Sequence, residues 1–305
     1  MIGEIGMAEA QAGIFVEGTL SHFFLEYQLI EGVTEAQLRS ALARAIALPV
    51  SAELNCVWAF GADCWRRLAP AGVPEALKSF SPIGEGRRIA PATQHSILLW
   101  VHGNNHSANF DAAMAATAAL AAVATLSLEK IGFLYKDSRD LSGFIDGTEN
   151  PKGRGQQQVA LIPDGELGAG GSFVMSQQWI HNLAGFHALS QPQQEAVIGR
   201  TKPDSIELDD ERMPENSHVS RSDVKINGEA QKLYRRSVPY GGVQQHGLYF
   251  LAFSRDIQRF DRILASMFGC SGDGIHDRLT DFSTPVSGSY WFAPSRAELS
   301  AIGPL

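Results

Sequence analysis

Cysteine is scarce in this chain of 305 residues: Cys56, Cys64 and Cys270 are the only three, and none sits in C-x-x-C spacing. Neither a zinc site nor a disulfide framework is therefore indicated, which suits a reducing cytoplasm. Basic clusters are missing too. With 25 Lys and Arg against 33 Asp and Glu, the formal charge is −8. Neither nucleic acid nor an anionic membrane is therefore expected as a partner. The longest apolar tract, Ala112 to Leu128, is alanine-rich and falls short of the ~20 strongly apolar residues of a spanning helix. It is expected to form one packed core helix. The opening MIGEIGMAEAQAG has no basic n-region, long apolar stretch or twin arginine, so no export signal is expected. Low-complexity segments and long repeat arrays are also lacking. The composition is that of a soluble chain with enough apolar residues for two ordinary domains.

Strand and helix patterns alternate along the chain. Ser21 to Leu29 reads as a strand, and Thr34 with Gln37 forms a capping box before a helical face of Leu38, Leu42, Ala45 and Ile46. Leu54, Cys56, Trp58 and Phe60 alternate as a strand, with a helix from about Asp63, and Ile97 to Val101 reads as a buried strand. The most polar break, Lys136-Asp137-Ser138-Arg139-Asp140, is a candidate boundary. Beyond it the same grammar returns. Ser190 and Gln193 cap a helix ending near Gly199, Leu248 to Phe253 is a strand, and Ile257, Phe260, Leu264 and Met267 share a helix face stopped by Gly269. The fold class is α+β. The expected domains are residues 1–138 and 139–305, and the strand–helix pairs at 97–128 and 248–268 read as two copies of one unit.

The stretch Gly143-Phe144-Ile145-Asp146-Gly147-Thr148-Glu149-Asn150-Pro151 is built of turn formers. An Asp-Gly pair alone is a common hairpin turn. Here it follows an apolar Phe-Ile step that would tuck the loop against a core and leave Asp146 half-buried. A carboxylate beside a glycine that admits another molecule to the backbone has the character of a site residue.

The whole nonapeptide resembles the signature of the dye-decolorizing peroxidases. Further stretches are similar in the same order: Trp179 to Leu183, Val197 to Lys202, Ser217-His218-Val219 and Tyr234 to Gly241. The resemblance implies two ferredoxin-like domains, each an antiparallel four-stranded sheet with helices packed on one face, the C-terminal one binding haem. It implies a haem b peroxidase that reduces hydrogen peroxide through a ferryl intermediate and oxidises dyes, phenols or other one-electron donors. Hydrogen peroxide, those donors and further copies of the chain in a homo-oligomer, a dimer or higher, are then the expected partners. Nothing in the residues points to encapsulation in a shell compartment. Two other readings stay open: a haem-handling protein that stores haem or releases its iron, and a ferredoxin-like binding module without haem.

Most of the nine histidines need no special role. His102 and His106 read as solvated loop residues, His181 and His187 as packing or hydrogen-bonding ones, and His246 and His276 are undecided. His218, in an irregular polar segment, matches the family's proximal iron ligand and is the expected metal-binding residue. Such a ligand needs an acceptor for its other ring nitrogen; Asp277 or Asp281 could supply it, with Asp277 favoured by the family's pattern. Alternation along a strand puts Arg235 and Ser237 on one face and Arg236 on the other, facing outward or meeting a haem propionate or an acid. The family's distal arginine lies two residues before a small polar residue, so the resemblance implies Asp146, Arg235 and Ser237 as the catalytic group. Gly147, Thr148, Glu149 and Asn150 join His218, Arg235 and Asp277 as cofactor-binding residues. Arg235 would favour ionised Asp146, and burial would oppose it.

Overall fold

The computed structural model describes residues 8–48, 53–69, 71–86 and 88–303. The first part of the chain runs through β1 (Ser21–Leu29), α1 (Glu35–Ile46), β2 (Leu54–Phe60) and α2 (Ala62–Leu68). A small hairpin of β3 (Ile83–Glu85) and β4 (Arg88–Ala90) follows, then β5 (Ile97–Gly103), α3 (His106–Leu120) and β6 (Ala124–Phe133). The second part comprises α4 (Arg154–Ala160), β7 (Ser172–His181), α5 (Leu183–His187), α6 (Gln191–Ile198) and α7 (His218–Ser222). It continues with β8 (Lys225–Ile226), β9 (Glu229–Ala230), β10 (Tyr234–Arg235), β11 (Val238–Gly241) and β12 (His246–Ser254). The last elements are α8 (Gln258–Met267), β13 (Ser283–Pro285), β14 (Ser289–Ala293) and α9 (Arg296–Ser300).

The first sheet has the order β6-β1-β5-β2, so the fourth long strand lies beside the first. The second repeats it in mirror, with β10 and β11 as one interrupted edge, then β12, β7 and β14. Both orders are those of a ferredoxin-like unit, so the α+β expectation with two such sheets holds. The sheets join at both margins, where Tyr240 pairs with Gly132 and Phe292 with Phe60. Gly132 is needed at that seam, because a Cβ there would lie 2.5 Å from Val238 Cγ2. Joined margins pair the long sheets with each other instead of leaving those margins free to recruit another chain.

Period-2 alternation then divides the apolar residues between two cores. Phe24, Trp100, Tyr249 and Trp291 point between the sheets, while Phe23, Leu25, Met175 and Trp179 point outward under the helices. Both expected capping boxes form, at Thr34/Gln37 and Ser190/Gln193. The alanine-rich tract is corrected: its helix ends at Leu120, and from Ala124 the chain is strand. Thr125 to Glu129 alternates polar and apolar residues (Thr-Leu-Ser-Leu-Glu), a period that suits a strand rather than a buried helix. No helix among the described residues is long and apolar enough to cross a membrane.

His102 is not solvated. It is fully buried, its ring stacked 3.9 Å from Trp100, and His22 stacks on the same indole. Trp100 Nε1 donates to His22 Nδ1 at 3.2 Å, and His102 Nδ1 lies 2.9 Å from Thr19 Oγ1. Burial first, with the Arg236 charge also acting, holds His22 down at about 4 and His102 at about 3. Both rings are neutral in the fold and would bind protons once unfolded, near pH 6.5. Stability is therefore complete above about pH 6.5 and drains away as pH falls below it. Urea titrations should show the loss, at up to about 1.4 kcal/mol per pH unit for each ring. In His102→Leu the slope should shrink; an unchanged slope would place the acid sensitivity elsewhere.

Candidate functional site

The polar break at 136–140 is the footing of the site. Arg139 Nη1 donates to Gly143 O and Lys202 O, both at 2.8 Å, and Nη2 donates to Pro203 O at 2.9 Å. Arg139 also bridges to Ile145, closing a tight hairpin whose exit places Asp146 with its N–H on Ser138 O at 2.9 Å. Phe144 tucks into a small core with Phe186, Val197 and Ile198, as the apolar step required. Gly147 takes φ +76°, a left-handed conformation that favours glycine.

His218 is the first residue of α7 rather than part of an irregular segment; Ser217 caps that helix by accepting from Ser220 N. Its Nδ1 lies 2.6 Å from Asp277 Oδ2. Asp277 is fully buried, and its other oxygen accepts from Leu279 N at 2.8 Å, so the carboxylate is fixed from two sides. Asp281 is turned away, paired with Arg88 at 2.5 Å and with His276 at 3.7 Å. With Nδ1 committed to Asp277, the lone pair of a neutral His218 ring is on Nε2.

Arg235 ends β10. The backbones at 235 and 238 pair with 252 and 249, so the register is unbroken and Ser237 falls opposite Phe250. Ser237 thus keeps the face of Arg235, but its hydroxyl accepts from Leu251 N at 3.3 Å, and it is not among the cavity-lining residues. Asn150 does not line the cavity either. Its amide clamps the arginine's backbone, Oδ1 accepting from Arg235 N at 3.0 Å and Nδ2 donating to Arg235 O at 2.7 Å. The signature loop and the arginine strand are thereby locked together. Arg236 meets neither solvent nor an acid: it is buried between the sheets, donating to Ile14 O and Val16 O at 2.5 Å each, over the Trp100 ring. Alternation gave its side correctly, but that side is a second core because the sheets are stacked.

Asp146, Gly147, Thr148, Glu149, His218 and Arg235 line one cavity of about 540 Å³ between the outward face of β7 and β12 and the helices above it. Asp277 sits behind His218, outside the lining. Burial raises the Asp146 carboxyl above the ordinary carboxylate range; Arg235 pulls the other way and does not prevail. The cavity also holds groups the sequence did not single out. His181 bridges Asp140 Oδ1 at 3.0 Å and Ser283 Oγ at 2.7 Å. Burial acts to raise Asp140, but the bonds from His181 and Ser142 outweigh it and hold that carboxyl at about 2. Gln177 is buried in the wall with its Nε2 lacking a hydrogen-bond partner. Its place in an apolar alternating strand gave no sequence signal.

Comparison with known proteins covers both halves of the chain. The family models described as Dyp-type peroxidase, N-terminal, and Dyp-type peroxidase, C-terminal, match residues 11–134 and 137–298. A dye-decolorizing peroxidase of Mycobacterium tuberculosis is 36% identical over 261 residues, covering 84% of this chain and 78% of that protein. A crystal structure described as a Dyp-type peroxidase protein from Shewanella oneidensis superposes with a TM-score of 0.91 at 36% identity, over 98% of this chain and 100% of that one. A variant of Rhodococcus jostii DypB in complex with haem superposes with a TM-score of 0.87 at 31% identity, over 93% and 96%. Matched in both halves and in nearly all of its length, the chain belongs to the Dyp-type peroxidase family.

Proposed function

We propose that this chain is a haem b peroxidase that reduces hydrogen peroxide and takes the electrons back singly from dyes, phenols or other small donors. The observation that carries this reading is that an imidazole backed by a buried carboxylate shares one cavity with Asp146 and Arg235. Haem fits the residues present. Met175, Trp179, Leu248 and Phe250 give the cavity an apolar wall, suited to a macrocycle. The unpartnered Gln177 Nε2 calls for an acceptor from outside the chain. His218 would hold the iron, with Gly147, Thr148 and Glu149 beside the macrocycle. When bound, the haem supplies an iron that takes two oxidising equivalents from peroxide.

The chain's own groups do the rest. Asp146 can accept the proton that peroxide must give up and return it to the departing oxygen. Arg235, permanently charged, answers the negative charge that develops as the O–O bond breaks. The Asn150 clamp keeps that guanidinium's strand in register with Asp146. A protein that only stored haem would need neither group. An optical spectrum of the haem-loaded protein tests the assignment: peroxide should shift the haem bands rapidly, and a donor should restore them. Bands that stay put under peroxide would favour haem handling, and a chain that stays colourless with excess haem would favour a binding module.

A separate expectation concerns Asp277. Its carboxylate strengthens the donation of His218, so Asp277→Asn should keep the haem and raise the iron reduction potential. Spectroelectrochemical titration reads this directly. Asp281→Asn, with its carboxylate on Arg88, should leave the potential unmoved.

A further inference from the structure

The space between the sheets contains a carboxylate that the peroxide chemistry does not use. Glu26 is fully buried. Its Oε1 accepts from Tyr249 Oη at 2.7 Å and from Ser176 Oγ at 3.2 Å, and Oε2 lies 2.8 Å from His95 Nδ1. Trp291 Nε1 donates to the same serine at 2.9 Å. Tyr249 is fully buried too, its ring stacked 4.0 Å from Phe24. Burying a carboxyl group costs desolvation and often adds little net stability even when it is paired, so packing alone does not explain Glu26.

Position supplies the missing reason. Leu248 and Phe250, on either side of Tyr249 in β12, line the cavity; so do Met175 and Gln177, on either side of Ser176 in β7. Alternation therefore puts the Tyr249–Glu26 pair directly behind the cavity wall, one sheet thickness away. A phenol gives up an electron readily only if its proton leaves with it, and in a dry core the acceptor must already be in place. We propose that Tyr249 is a second redox site of this protein, oxidised by one electron with Glu26 as its built-in base.

The step balances. The Tyr249 Oη–H bond breaks and a Glu26 Oε1–H bond forms, while the electron fills one of the two equivalents that peroxide has left in the cavity. A neutral phenoxyl remains, and the returning electron from a donor brings the proton back from Glu26. His95, one-fifth exposed, holds the other carboxylate oxygen from the solvent side. Two other tyrosines donate to carboxylates and fit less well. Tyr290 bonds Asp261, which is already paired with Lys78 at 2.6 Å, and its chain neighbours do not line the cavity. Tyr234 bonds the exposed Glu17, but the Arg236 guanidinium lies 5.8 Å from its ring centroid, a positive charge that opposes electron loss.

This inference rests on the haem peroxidase reading, and the test separates the two. The haem-loaded full chain is mixed with one equivalent of hydrogen peroxide without donor, frozen at successive times, and read by optical and electron paramagnetic resonance spectroscopy. Wild type should show shifted haem bands and then a tyrosyl signal, which narrows when the protein carries ring-deuterated tyrosine. Tyr249→Phe should lose that signal and keep the haem bands and their first shift. Glu26→Gln should slow the signal's appearance on the order of 10²-fold, the worth of a positioned proton acceptor. A full signal in Tyr249→Phe, its loss in Tyr234→Phe instead, or an unchanged rate in Glu26→Gln would overturn the proposal. If either variant failed to fold, the wild type and Tyr234→Phe would still test the relay: shifted haem bands with no deuterium-sensitive signal in the wild type, or a signal lost in Tyr234→Phe, refute it. Bands that never shift refute the peroxidase reading instead.

Discussion

Replacing His218 with alanine is expected to strip the protein of most of its haem. The cavity contains one other imidazole, His181, and both of its nitrogens are committed, to Ser283 Oγ and Asp140 Oδ1. Freeing His181 would leave Asp140, held at about 2 and so ionised, without its main partner. His22 and His102 are locked between the sheets on the far side of the wall. No second ring can take over. Losing only the outer partner of a metal-bound histidine costs on the order of 10–100-fold in affinity, so losing the ring itself should cost more. The haem-to-protein ratio after reconstitution and gel filtration measures it. A normal ratio in His218→Ala, with a bleached His181→Ala, would move the ligand to the Asp140 side of the cavity.

What could be read in the residues was whatever depends on neighbours in sequence. The Thr34/Gln37 and Ser190/Gln193 caps and the strand at Leu248 to Phe253 needed only local periodicity. The face of Arg235 and that of Arg236 followed from alternation. What lay on each face did not, because sequence alternation cannot say that a second sheet covers Arg236. The same limit applies to His102, which looks like a loop residue beside Gly103 and Asn104 but faces the Trp100 ring. Ser237 and Asn150 share a subtler limit. Each was expected in the site, yet each polar tip turns to a backbone group, Leu251 N or the Arg235 peptide, that only tertiary pairing brings within reach. The contest over Asp146 between burial and Arg235 was also visible beforehand, but its outcome needed the depth of the loop, and burial wins.

That outcome shapes the expected ranking of the two groups facing the peroxide. A raised carboxyl is readily lost as a base: when pH falls through its pKa, Asp146 is protonated and can no longer accept the peroxide proton. Oxidation of the wild-type protein should therefore slow on the acid side earlier than an ordinary carboxylate would dictate. In Asp146→Asn that limb should vanish, leaving a lower, flatter rate in which water or hydroxide assists. Its cost should thus be greatest at neutral pH and shrink in acid. Arg235 offers what water cannot, a permanent charge beside the leaving oxygen in a dry site. Arg235→Leu should slow the peroxide step on the order of 10²–10³-fold, the cost of one preorganised electrostatic donor, and more than Asp146→Asn does. It should also leave a signature of its own. Arg235 is the cation that pulls the Asp146 carboxyl down, so without it the acid limb should move to higher pH. Stopped-flow mixing with peroxide across pH distinguishes all three profiles. Should Asp146→Asn be the slower variant at every pH, proton acceptance rather than fixed charge would govern the step.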